Sequence, residues 1–254
     1  MTEVFFEEHD TQIRELARRF SSYSVAIDYI SIRNWVRQFA EEDRLLSLKL
    51  LEYIDYYDPA RMIEQARLLH RQIQSITGGL DLNNSYFAGF SRAGHSSGIV
   101  LERYRLANGL SKPCFDQHFV YLSELSRLYD KKDAKFFFVE DFAGTGNAIV
   151  DIWETVRDFV PNHENVYLLL CVAHDEGTRK IKQETPLEVV SNKILYEGDK
   201  ILSHSNANFT NEEKQKLRTY CERAGSEPEG YGTCQSNIIF FYRAPNNSIS
   251  ILRC

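Results

Sequence analysis

Three short apolar runs constrain the fold more than any other feature of this chain. "SYFAGF" (85–90), "FFFVED" (136–141) and "VYLLLCVA" (166–173) are rich in aromatic and β-branched residues. A strand with one wet face alternates apolar and polar, whereas a run apolar at successive positions reads as a strand covered on both faces. Such strands belong to parallel sheets, and parallel neighbours need crossover connections. The intervening segments supply them: residues 98–110, 147–160 and 176–184 carry helical spacing, with Ile149, Trp153, Val156 and Val160 on one face of the second. Strand, loop and helix in repetition is the α/β pattern. A further helix near 211–223 leads to "NIIFFYRAPNNSISIL", which reads as two closing strands around a turn.

The first 80 residues have a different texture. Asp58 is placed to cap a helix, and Pro59 sits where its missing N–H costs nothing. Met62, Ala66, Leu69, Ile73 and Ile76 then form one stripe, and Gly78-Gly79 stop it. Leu46, Leu50, Tyr53 and Tyr57 make a similar stripe just before, so the two helices are expected to form a hairpin. Residues 8–20 and 31–40 also read as helices. The expected organisation is an N-terminal helical region over 1–80 and a mainly parallel α/β domain over 81–254.

Composition narrows the function classes. Thirty basic against 36 acidic residues give a net charge of −6, so no overall basic field invites nucleic acid. The opening "MTEVFFEEHD" lacks the basic-then-apolar order of a signal peptide, and Val166 to Ala173 is far too short to span a bilayer. Five scattered cysteines without a CxxC pair suit free thiols in a reducing cytoplasm. A cytoplasmic protein with no membrane segment is expected.

In open α/β sheets, ligands bind beyond the carboxyl ends of the strands. Two strand-to-helix loops qualify by their small residues: "SRAGHSSG" (91–98) and "FAGTGN" (142–147), the second preceded by Glu140 and Asp141. A phosphate-binding P-loop would need a Lys after its last glycine, which is missing here. A dinucleotide fingerprint would need GxGxxG, but Gly144-Thr145-Gly146 is followed at the third glycine's place by Ile149. "DFAGTGNA" also has the glycine pattern with which methyltransferases meet S-adenosylmethionine, yet the Pro-Pro pair of their catalytic motif is absent.

What fits throughout is an apolar strand, an acidic pair and a Gly-Thr-Gly turn. This stretch resembles the motif by which type I phosphoribosyltransferases bind 5-phosphoribosyl-1-pyrophosphate (PRPP). The resemblance implies that Glu140 and Asp141 act at the ribose, accepting from its hydroxyls and stabilising an oxocarbenium-like transition state. It implies that Ala143, Gly144, Thr145, Gly146 and Asn147 wrap the 5′-phosphate. In the same family the first strand–helix loop holds pyrophosphate, here Arg92, Gly94, His95, Ser96, Ser97 and Gly98. Mg²⁺ would accompany the pyrophosphate, held mainly by ligand oxygens and water. With "GYGTCQSNIIFF" and "APNNSISIL" at the C-terminus, nearly the whole chain resembles the PRTase-CE group, linked by gene neighbourhood to bacterial conflict and defence systems.

Two departures stand out. Gly144 occupies a place where many purine-salvage relatives carry an Asp acting on the base, and Ala148 one where many have Thr or Ser. The expected ligand is therefore PRPP or a related nucleotide, with an unfamiliar acceptor. The alternative from another class is a PRPP- or nucleotide-sensing module controlling a protein partner through the N-terminal helices. His95, His118 and His174 have no metal-ligand spacing, "TRKIK" (178–182) reads as a solvated helix face, and Tyr231, Asn246 and Asn247 as packing and turn residues.

Overall fold

The computed structural model describes residues 2–91 and 96–253. They form two compact units, residues 1–59 with 197–254, and residues 60–196. The expected division at residue 80 falls within the second of these units.

The N-terminal part of the first unit contains α1 (Thr2–Glu8), α2 (Asp10–Phe20), α3 (Tyr29–Val36), α4 (Arg44–Tyr53) and β1 (Asp55–Tyr57). The stripe expected to run through Tyr57 breaks at Ile54, whose extended backbone ends α4. Tyr56 and Tyr57 therefore lie in a strand and not on the helix.

The second unit carries the sheet. It consists of α5 (Pro59–Ile76), β2 (Ser85–Gly89), α6 (Ser97–Ala107), β3 (Lys135–Ala143), α7 (Asn147–Val156), β4 (Val166–His174), α8 (Asp175–Glu184), β5 (Glu188–Ser191) and β6 (Ile194–Leu195). All its strands are parallel, in the order β2-β3-β4-β5, with β6 beside the end of β4. This is the mainly parallel α/β sheet the apolar runs predict. Its two faces bury different sets. Phe136, Phe138, Leu168 and Leu170 pack with Ile149, Trp153 and Ile181 from α7 and α8. On the opposite face Phe87, Phe137 and Tyr167 stack across three neighbouring strands, with centroids 5.0 Å apart at each step. Tyr104 of α6 packs against Phe87, and its hydroxyl lies 2.7 Å from His70 Nδ1 of α5.

The chain then returns to the first unit with α9 (Asn211–Ala224) and β7 (Ile238–Phe240). Thr210 and Glu213 cap α9 reciprocally. β7 pairs in parallel with β1, Asp55 opposite Ile238 and Tyr57 opposite Phe240. The second closing strand expected near 248–252 does not form: Ser248 makes a single parallel bridge to Ser236, and Ser250–Leu252 is a 3₁₀ turn.

Candidate functional site

β3 is flanked by β2 and β4, so every residue from 136 to 143 is buried, the acidic pair included. Glu140 is 6% exposed and Asp141 2%. Carboxylates are rarely buried unless paired or functional. Glu140 Oε1 accepts from Ser96 Oγ at 3.0 Å and from the Asp141 N–H at 3.0 Å. Burial pushes the Glu140 carboxyl well above the usual carboxylate range. The charge of Asp141 and a hydrogen bond between the two carboxyl groups add to the rise, while the Ser96 hydroxyl and the Asp141 N–H oppose it. The pair can therefore accept hydrogen bonds and hold a proton. Next to it in β4 the Cys171 thiol is also pushed up, by burial and by both carboxyls, which makes it an inert core thiol.

Four residues further on, the chain presents donors. Gly146 adopts φ 80°, ψ −12°, a left-handed conformation open to glycine, and caps α7. Thr145 Oγ1 accepts from the Asn147 N–H at 3.3 Å, which leaves its own proton to donate. Among the described residues, the N–H groups of Gly144, Thr145 and Gly146 donate to no protein acceptor. Unpaired N–H groups at the positive end of a helix form an anion site.

A residue the sequence reading passed over builds this turn. Gly177, in the first turn of α8, lies so close that a Cβ there would come within 2.1 Å of Gly144 O and 3.1 Å of Gly146 N. A Cβ at Gly146 would in turn meet Gly177 O at 2.7 Å. The available signal was a glycine inside a helical segment, where it costs about 1 kcal/mol against alanine and so calls for a packing reason.

Of the residues proposed for pyrophosphate, Arg92, Gly94 and His95 lie outside the described residues. Ser96, Ser97 and Gly98 begin α6. The structure brings Ser96 to Glu140, while Ser97 Oγ lies within hydrogen-bond distance of Ser91 Oγ. Beside Ser97 and Gly98 opens a cavity of about 1010 Å³, walled by Leu101 and Glu102 of α6, Asp151 and Thr155 of α7, and residues 119–123. That volume is at the upper end of the range for small-molecule sites.

The remaining candidates are structural. His118 is buried 3.2 Å from Ser85 O, and His174 packs edge-on against Phe142. Arg179 pairs with Asp175 and Lys180 with Glu184 along α8, a solvated face. In the first unit Asn247 Nδ2 donates to Tyr231 O at 3.0 Å and to Cys234 Sγ at 3.3 Å, tying the two C-terminal motifs together. Among the described residues, no three His, Cys, Asp or Glu side chains gather as a metal site, and no helix is long and apolar enough to cross a membrane.

Comparison with known proteins gives one family: the PRTase-CE family model matches residues 32–254. No curated protein matches the sequence.

Proposed function

We propose, for a chain that belongs to the PRTase-CE family of phosphoribosyltransferase-like proteins, that the end of β3 binds a phosphoribosyl compound and acts at its C1. The observation that carries this reading is the succession along one strand–turn–helix of two buried carboxyls and then three backbone N–H groups without an acceptor among the described residues. A ribose 5-phosphate needs that succession: acceptors for its 2′ and 3′ hydroxyls, donors for its phosphate.

In the proposed reaction, pyrophosphate leaves C1 of PRPP, or a base leaves C1 of a related nucleotide, and an acceptor takes its place. Positive charge develops on the sugar as the bond breaks. Glu140 and Asp141 then hold the ribose hydroxyls and stabilise that charge from a site already buried, where electrostatic effects exceed those in water. The turn 143–147 fixes the phosphate, so C1 sits at a defined place relative to the carboxyls. Ser96, Ser97 and Gly98, with residues 92–95, are proposed to receive the pyrophosphate. Two carboxylates are hard oxygen donors and too few for a protein cage. They fit Mg²⁺, which keeps water and phosphate oxygens as most of its ligands. Mg²⁺ would neutralise the pyrophosphate.

The resemblance to the PRTase-CE group supports a proposed role in bacterial defence or conflict, in the cytoplasm, with residues 1–80 available to a protein partner. A second reading, a sensor without turnover, is favoured by Gly144, which offers no side chain to work on a base. Thermal unfolding tests the ligand class. PRPP with Mg²⁺ at a hundred times its dissociation constant should stabilise the fold by about 2.7 kcal/mol. A shift with S-adenosylmethionine and none with PRPP or nucleoside monophosphates would overturn the reading. Pyrophosphate release, measured alongside, separates the enzyme from the sensor.

A further inference from the structure

We infer that the cavity between α6 and α7 is a binding site for a planar organic cation carrying N–H donors. It borders Ser97 and Gly98, but the inference does not rest on the proposed reaction. The cavity opens where a neighbouring segment leaves the edge of β2. Phe90 N–H donates to Val139 O on the β3 side, whereas Phe87 O accepts from Val120 N–H on the outer side, both at 2.9 Å. Backbone groups along a parallel strand alternate between its two neighbours, so Gly89 faces outward as Phe87 does. The outer pairing is a single bridge, Phe87 to Phe119, because the chain turns away at Tyr121 into the 3₁₀ turn Leu122–Leu128. Gly89 therefore lines the cavity, and among the described residues its carbonyl has no donor.

The walls supply open rings. Tyr121 is 78% exposed, and Phe159, just after α7, is 45% exposed. Both line the cavity, and neither ring has an aromatic or cationic partner among the described residues. The Tyr121 backbone is pinned at the rim: its N–H donates to Glu124 Oε2 and its carbonyl accepts from Glu124 N–H, both at 2.9 Å. A third ring, Phe119, is already occupied. Phe87 stacks on it at 5.1 Å, and the Arg105 guanidinium lies 4.5 Å from its centroid.

Charge selects what those rings can take. Arg105 lines the cavity but is paired with Asp116, so its charge is already answered. Glu102 of α6 and Asp151 of α7 line it too, and they make no ion pair or hydrogen bond among the described residues. A single unpaired surface carboxylate is ordinary. Two in one aromatic-walled cavity, with the Gly89 carbonyl, give it acceptors and a negative sign, which repel a polyanion. A planar cation can lay its face on a ring while its N–H groups reach carboxylates at the edge. The fold already makes that contact once, with the Arg105 guanidinium against Phe119 and bonded to Asp116.

The test uses the full chain, labelled with ¹⁵N and titrated under amide-resolved NMR. The probes are benzamidinium and benzamide, its neutral twin of nearly the same shape. Benzamidinium should saturate with a Kd of about 1 mM, an affinity within reach of so small a ligand, and move the signals of Gly89, Gly98 and Ser123. Benzamide should bind about tenfold more weakly, since it lacks the charge that the carboxylates answer. Glu102→Gln combined with Asp151→Asn should weaken benzamidinium about tenfold and leave benzamide unchanged. Tyr121→Ala should weaken benzamidinium about threefold. All three side chains are exposed, so the variants should melt with the parent. Equal binding of the two probes would overturn the inference, as would a charge-free variant that binds benzamidinium like the parent. No saturable binding, or saturation that moves only signals away from this cavity, would do the same.

Discussion

The acidic end of β3 and the glycine turn after it lie three residues apart and are built in opposite ways. Glu140 and Asp141 act through side chains, and their burial raises the stakes of every bond they make. Gly144 and Gly146 act through backbone, and their geometry depends on Gly177 of another helix. The comparison teaches where each half can be broken. The carboxyls can be changed one atom at a time with their shape kept. The turn can be changed only by altering how closely two backbones approach.

The largest effect is expected at the turn. Gly177→Ala places a Cβ 2.1 Å from the Gly144 carbonyl, an overlap with backbone that no rotamer relieves. It should destabilise the protein by about 3 kcal/mol or more in urea denaturation and abolish phosphoribosyl binding in calorimetry. A variant as stable as the parent would show that the turn does not lean on α8. Next comes Asp141→Asn, which keeps shape and removes charge. Turnover should fall about 10²–10³-fold, by analogy with loss of one preorganised stabilising group, with affinity changing much less. Equal losses in turnover and affinity would assign the carboxyl a ground-state role.

The two halves also differed in how far the sequence revealed them. β2, β3 and β4 were legible because Phe136 to Val139 and Val166 to Ala173 are apolar on both faces, a pattern few other structures require. β1, β5 and β6 were not: they have three, four and two residues, and β5 is half exposed, so no periodicity could build up. Tyr57 shared the i, i+4 spacing of α4 and was read onto it, although its place is set by Phe240, far along the chain. At the site, Glu140 and Asp141 stood out by position, yet their effect on each other depends on burial that only the packed sheet supplies. Gly177 showed only as a glycine within a helical segment, and its partner, a loop carbonyl some thirty positions away, left no mark in the sequence.

The third prediction sharpens the acidic half through pH. Glu140 is raised above its unfolded value, so the folded protein holds the proton over a range where the unfolded chain has lost it. Below the unfolded carboxylate pKa of about 4.3 both states are protonated, and Glu140 costs nothing. As pH rises through the folded value, stability is lost and the full penalty appears. Glu140→Gln, which cannot ionise, should therefore be more stable than the parent above neutral pH, and the gap should close near pH 4. Melting curves of the pair across that range measure it. A gap that widens toward acid would mean that Glu140 is held ionised.

The smallest effect sharpens the turn. Ala148 is exposed in the first turn of α7, two residues past Gly146, so a threonine there meets no packed neighbour. Ala148→Thr supplies a hydroxyl next to N–H groups that have no acceptor among the described residues. Two opposed shifts are expected. Threonine has the lower helix propensity, so the ligand-free protein should lose up to about 0.5 kcal/mol. With a 5′-phosphate over the helix N-terminus, one added donor should tighten binding by about 0.5–1.5 kcal/mol. Calorimetry with ribose 5-phosphate and with PRPP should show the same gain for both, since the new contact touches only the phosphate they share. A gain confined to PRPP would move the contact to the pyrophosphate end. Loss of free-protein stability with no gain for either ligand would mean that the phosphate does not sit over this helix.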